Sequence, residues 1–171
     1  MAKYLKLTTR NSSAALIAFG EACQTLIPLK SDFSDQLCKD GTKPTGLHGK
    51  ARRIDLALKT AAETFDLANV KRISLEEKDK LVVLMTAGIQ SQENPDALSP
   101  AAELLQKKNA KIIIVTIGSE VNFQDLVHII DRPHDLFPLF GFHDLTEAKA
   151  KKIAEEILHT AGNVVICVLK V

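Results

Sequence analysis

The amino-acid sequence predicts an α/β fold, a mostly parallel sheet flanked by helices. Two observations carry this. Lys80 to Thr86 and Lys111 to Gly118 are continuous apolar runs of strand length, as expected of strands buried on both faces of a parallel sheet, and the second is rich in β-branched residues. Segments with apolar residues at helical spacing separate them, and strands alternating with helices of this length imply a sheet covered on both sides.

Taken in order, Ser13 to Leu29 reads as two short strands, AALIAFG and QTLIPL, separated by Glu21-Ala22 in a hairpin-like arrangement. Lys30 to Lys50 is polar and glycine-rich, a loop with one helical turn near Asp35. From Arg53 to about Leu67, Ile54, Leu58, Ala61 and Phe65 recur at helical spacing and predict an amphipathic helix. Ser99-Pro100 signals a helix start, with serine as N-cap and proline at the first helical position; Leu104 and Leu105 supply its apolar side. A short helix carrying Leu126, Ile129 and Ile130 follows the second buried run. After LFPLF, a helix starts near Asp144, whose spacing to Glu147 matches a capping box, with Ile153 and Ile157 stacked at i, i+4. Asn163 to Val171, NVVICVLKV, is a final strand.

The 171 residues fit one domain, 1–171. Hydrophobic residues at 46% and charged residues at 25% are near the globular average, and a net charge of +1 gives no bias toward nucleic acid, membrane or acidic partners. No run is long enough for a transmembrane helix, and MAKYLKLTTR lacks the apolar core of a signal peptide. Cys23, Cys38 and Cys167 have no CxxC or His-paired spacing and read as buried or spare thiols. Asn11-Ser12-Ser13 is a formal glycosylation sequon, relevant only to a secreted chain.

Tests for chemistry return little. Gly41 and Gly46 have the gap of a phosphate loop, but Leu47-His48 stand where lysine and a hydroxyl are needed. Neither GxGxxG nor GxSxG occurs. His48, His128, His134, His143 and His159 are scattered, with no i, i+4 pair to hold a metal and no partnered nucleophile. The expectation is a protein that is not an enzyme and carries no catalytic residues, metal or cofactor. Lys50, Arg52 and Arg53 form a basic cluster ahead of a helix, either a solvated loop or a contact patch for an acidic partner.

The runs ALIAFG, LIPL, RRIDLALKTAAETF, LVVLMTAGIQSQ, AAELLQKKNAKIIIVTIG and LFPLFGFHDL, in that order and spacing, resemble the von Willebrand factor type A domain of collagens, matrilins and other matrix proteins, over about residues 13–157. The resemblance implies a Rossmann-like sheet and, at the carboxyl ends of its strands, a metal-ion-dependent adhesion site. That site takes Mg²⁺ or a similar ion on oxygens from an Asp-x-Ser-x-Ser motif, from a threonine before the RIDLAL-type helix and from a Thr-Asp-Gly, leaving one position for a partner's carboxylate.

This chain departs at all three places. It has no Asp-x-Ser-x-Ser; Arg52 stands where the threonine is expected; and Thr86-Ala87-Gly88 replaces Thr-Asp-Gly. On the resemblance, the segment expected to form the family's central first strand would be missing before Met1. Asn163 to Val171 either fills that slot in a circularly permuted order, forms an edge strand, or opens a further domain. Even in the slot it restores no metal motif, because Leu169 and Lys170 fall where the aspartate would be.

The resemblance therefore implies a protein-binding or adhesion module with a degenerate metal site, contacting collagen or other matrix or cell-surface proteins without nucleic acid or membrane insertion. Its candidate ligand face carries His48, Lys50, Arg52, Arg53, Ala87, Gly88 and Gln90. The alternative is a degenerate copy with a purely structural or assembly role. An extracellular location follows from the resemblance, although this chain shows no signal peptide.

Overall fold

The computed structural model describes residues 13–30, 52–70, 80–88, 95–119, 121, 123–160 and 164–170. Among these residues six strands form one sheet: β1 (Ser13–Phe19), β2 (Cys23–Lys30), β3 (Lys80–Thr86), β4 (Ala110–Ile117), β5 (Leu136–Leu139) and β6 (Val164–Lys170), in the spatial order β2-β1-β6-β3-β4-β5. Only the β1–β2 hairpin is antiparallel; β1, β6, β3, β4 and β5 pair parallel in succession.

The last strand thus lies at the centre of the sheet. It pairs with β1 from Ser13↔Val164 to Phe19↔Lys170 and with β3 from Lys80↔Val164 to Met85↔Leu169. This is the slot that the resemblance assigns to a first strand, and filling it satisfies the inward-facing backbone groups of both neighbours. Unmade, each such bond would cost about 1–3 kcal/mol.

Period-two alternation divides the core between the two faces. Ala15, Ile17, Phe19, Val82, Leu84, Ile112 and Ile114 pack with helices α1 (Ile54–Val70), α2 (Leu98–Gln106) and α3 (Phe123–Val127). Leu16, Leu81, Val83, Ile113, Val115 and Ile117 pack with α4 (Glu147–Thr160) through Ile153, Ala154 and Ile157. Helix α1 forms because Ile54, Ala57, Leu58, Ala61, Ala62 and Phe65 share one face, and all are buried. Each large side chain among them contributes about 2 kcal/mol.

Several boundaries differ from the sequence reading. Helix α2 begins at Leu98 behind a 3₁₀ turn, Pro95–Ala97, and its N-cap is Ala97 without a side-chain bond. Ser99 therefore lies inside the first turn, where Pro100 is still tolerated because that N–H would have no helical partner. Helix α3 ends at Val127, so Ile129 and Ile130 pack from the turn beyond it. LFPL is a strand, β5, too short for its periodicity to show.

Asp144 does not cap α4. Its carboxylate accepts from the Phe140 N–H at 2.8 Å, while the Thr146 hydroxyl accepts from the Lys149 N–H at 3.4 Å. The entry to β5 is held by Arg132, which grips the buried Asp135 through two hydrogen bonds of 3.0 and 2.6 Å. Asn109, with φ 54°, turns the chain from α2 into β4, a left-handed position that asparagine tolerates.

Candidate functional site

In a parallel α/β sheet the carboxyl ends of the strands are where ligands gather. Here that edge is built by the ends of β1, β6, β3 and β4 and by the start of α1. The Arg53 N–H donates to the Gly20 carbonyl at 3.0 Å, which fixes the helix start to the end of β1. Thr86, buried at the end of β3, donates its hydroxyl to the Gly88 carbonyl at 3.0 Å and accepts from the Gly88 N–H at 3.4 Å. These two bonds curl the chain back over its own strand.

The curl brings Gly88 under Arg52. A Cβ at Gly88 would overlap the Arg52 guanidinium, so glycine here permits a close approach between a charged plane and the backbone. Arg52 and Ala87 are both half-buried. On the next strand Thr116 is the ladder partner of Thr86 and is fully buried; among the described residues its hydroxyl has no hydrogen-bond partner.

Arg53 faces elsewhere. Its Nε and Nη2 donate to the two carboxylate oxygens of Asp55, each at 2.9 Å, and Asp55 is completely buried. The pair neutralises a carboxylate inside the first turn of α1 and gives Arg53 a structural task.

Of the residues expected on the ligand face, the structure thus brings together Arg52, Ala87 and Gly88 and places Arg53 beside them with its side chain on Asp55. His48, Lys50 and Gln90 lie outside the described residues, as do Asn11, Cys38 and the turn near Asp35. His128, His134, His143 and His159 are all exposed. Thr116 escaped the sequence reading because it lies inside an apolar run that looks like ordinary strand, and Thr86 reads there only as the end of such a run and the start of Thr86-Ala87-Gly88. The Arg53–Asp55 pair had one legible signal, an acid on the buried side of a helix start.

Chemically, the edge offers a guanidinium that donates hydrogen bonds and is always charged. Among the described residues no group of three or more His, Cys, Asp and Glu side chains could hold a metal ion, and no helix is long and apolar enough to cross a membrane.

Known structures share the fold. Proximal thread matrix protein 1 from the mussel byssus is 17% identical, with a TM-score of 0.60 over 92% of this chain and 37% of that one. An aerotolerance-related membrane protein from Bacteroides fragilis NCTC 9343 is 14% identical, with a TM-score of 0.65 over 91% and 83%. The manganese-loaded TRAP protein of Plasmodium vivax is 17% identical, with a TM-score of 0.63 over 94% and 64%. This chain therefore spans little more than a third of the mussel protein and just under two thirds of the Plasmodium one. No curated protein matches it in sequence. The family description von Willebrand factor type A domain matches residues 1–156, most of the chain. Together with the sheet and its flanking helices, that match makes this chain a member of the von Willebrand factor type A domain family.

Proposed function

We propose that this domain is an extracellular protein-binding module, not an enzyme, and that it binds matrix or cell-surface proteins without a metal ion. The observation that supports the reading is the Arg52 guanidinium packed on Gly88 at the carboxyl edge of the sheet. The residues present do not fit Mg²⁺, which demands near-octahedral oxygen ligands. A guanidinium and a methyl group, at Arg52 and Ala87, stand where the family's pattern has a threonine and an aspartate. In place of an ion the edge presents a fixed organic cation, suited to an acceptor group on a partner.

Two measurements test this. Binding of an ion to the folded state raises the unfolding midpoint, so the midpoint should be the same with and without Mg²⁺ or Mn²⁺; a clear rise with either overturns the metal-free reading. Capture on immobilised collagen and other matrix proteins should be lost in Arg52→Glu. Arg53 must be left intact in that variant, because it holds the buried Asp55. Unchanged capture by a folded Arg52→Glu protein would show that the guanidinium is not the contact.

A further inference from the structure

Six large apolar side chains are well exposed among the described residues, and two stand apart: Phe140 at 84% and Phe142 at 74%. Single exposed apolar residues are ordinary. Two phenylalanines flanking one glycine on one turn are not. Together they present about 300 Å² of aromatic surface, the lower end of the patch size that on monomers is often functional.

The turn is held in shape. The Phe140 N–H donates to the Asp144 carboxylate at 2.8 Å, the Asp144 N–H to the Gly141 carbonyl at 3.0 Å, and the Leu145 N–H to the Phe142 carbonyl at 3.1 Å. At Gly141 a Cβ would press on the His143 ring at 2.8 Å. The Gly118 N–H donates to the Leu139 carbonyl at 2.8 Å, which fastens the base of the turn to the loop after β4. Rings displayed on a fixed backbone lose less entropy on binding than rings on a loose one.

We infer that Phe140 and Phe142 form a docking surface for an uncharged, apolar segment of a partner protein. Two arguments select that occupant. The fixed charge in the turn is balanced, because Asp144 lies 3.7 Å from Lys149, so the patch carries no charge complementary to a nucleic acid or an anionic lipid surface. A second copy is disfavoured by area: a stable pair removes about 800 Å² per partner, well above what two rings supply, whereas a short segment needs only a pair of anchors. The inference rests on the reading of the chain as a protein-binding module but not on Arg52, which precedes α1 and packs on the turn after β3, two strands away from β5 in the sheet.

The test pans a phage-displayed library of random peptides against the immobilised full chain, and then compares the enriched peptides on three variants. Peptides with paired uncharged apolar residues are expected to bind the parent and to weaken at least about tenfold on Phe140→Ser/Phe142→Ser. They should keep most of their affinity on Phe140→Leu/Phe142→Leu and be unchanged on Arg52→Glu. Equal binding of every enriched peptide to parent and serine variant, weakening on the serine variant of charged peptides only, or no enrichment overturns the inference, while matrix capture sensitive to Arg52→Glu would still sustain the binding-module reading. Co-sedimentation with phosphatidylserine vesicles, or self-association abolished by the serine pair, would also overturn it by naming a different occupant. If the serine pair fails to fold, the single variants Phe140→Ala and Phe142→Ala carry the same comparison.

Discussion

The Arg52 guanidinium and the backbone of Gly88 are in direct contact, one from the start of α1 and the other from the turn after β3. Gly88→Ala would place a methyl group in the space the guanidinium holds. The flexible arginine can give way, and alanine restricts the unfolded chain more than glycine does. Stability should therefore change by no more than about 1 kcal/mol, while Arg52 becomes more accessible. Phenylglyoxal modification of Arg52, followed by peptide mass spectrometry, should be faster in the variant. An unchanged rate would show that the two residues do not contact each other in solution.

Arg53→Ala should cost far more. It leaves the fully buried Asp55 carboxylate without its bidentate partner, a change worth about 3 kcal/mol when one member of a buried pair is removed. Replacing both residues with apolar ones should cost less than Arg53→Ala alone. Denaturant unfolding of the single and double variants checks the order.

Thr86 and Thr116 share one rung of the β3–β4 ladder, and valine at each should act in opposite directions. Thr116→Val removes a buried hydroxyl that lacks a partner among the described residues and should stabilise by about 1 kcal/mol. Thr86→Val removes the two bonds to Gly88 and should destabilise by about 1 kcal/mol. Urea midpoints that moved together would refute the assignment.

Burial raises the Cys23 thiol above its ordinary range; hydrogen bonds to the Thr60 side chain and the Gln24 backbone oppose the shift, and the charge of Glu63 adds slightly to it. The folded state thus favours the neutral thiol. That contribution is complete below the unfolded thiol's pKa and is lost as pH rises through the higher folded value. Stability of the parent relative to Cys23→Ser should accordingly decline only in alkaline solution, above about pH 8.5. Iodoacetamide labelling of the Cys23 peptide at neutral pH should also be slower than that of a free thiol.

The central position of β6 predicts slow hydrogen exchange at Val164 to Val168, comparable with that of β3. Exchange as fast as that of a frayed end would remove the strand from the sheet.

Much of the fold was legible in local sequence. Runs such as Leu81 to Leu84 and Ile112 to Val115 have the continuous apolar character of strands buried on both faces of a parallel sheet, and the spacing of Ile54, Leu58, Ala61 and Phe65 is that of a helix. The sequence alone therefore determined the α/β class and the helix of the RIDLAL segment. Tertiary structure decided the rest. Nothing local to NVVICVLKV distinguishes a central strand from an edge; that depends on two neighbours distant in the chain that both need hydrogen-bond partners. Arg52 and Arg53 are adjacent and chemically identical, yet packing sends one to Gly88 and the other to Asp55. Which side chain meets which group is set by how separate elements converge at the sheet's edge, and periodicity within a single element does not encode that convergence.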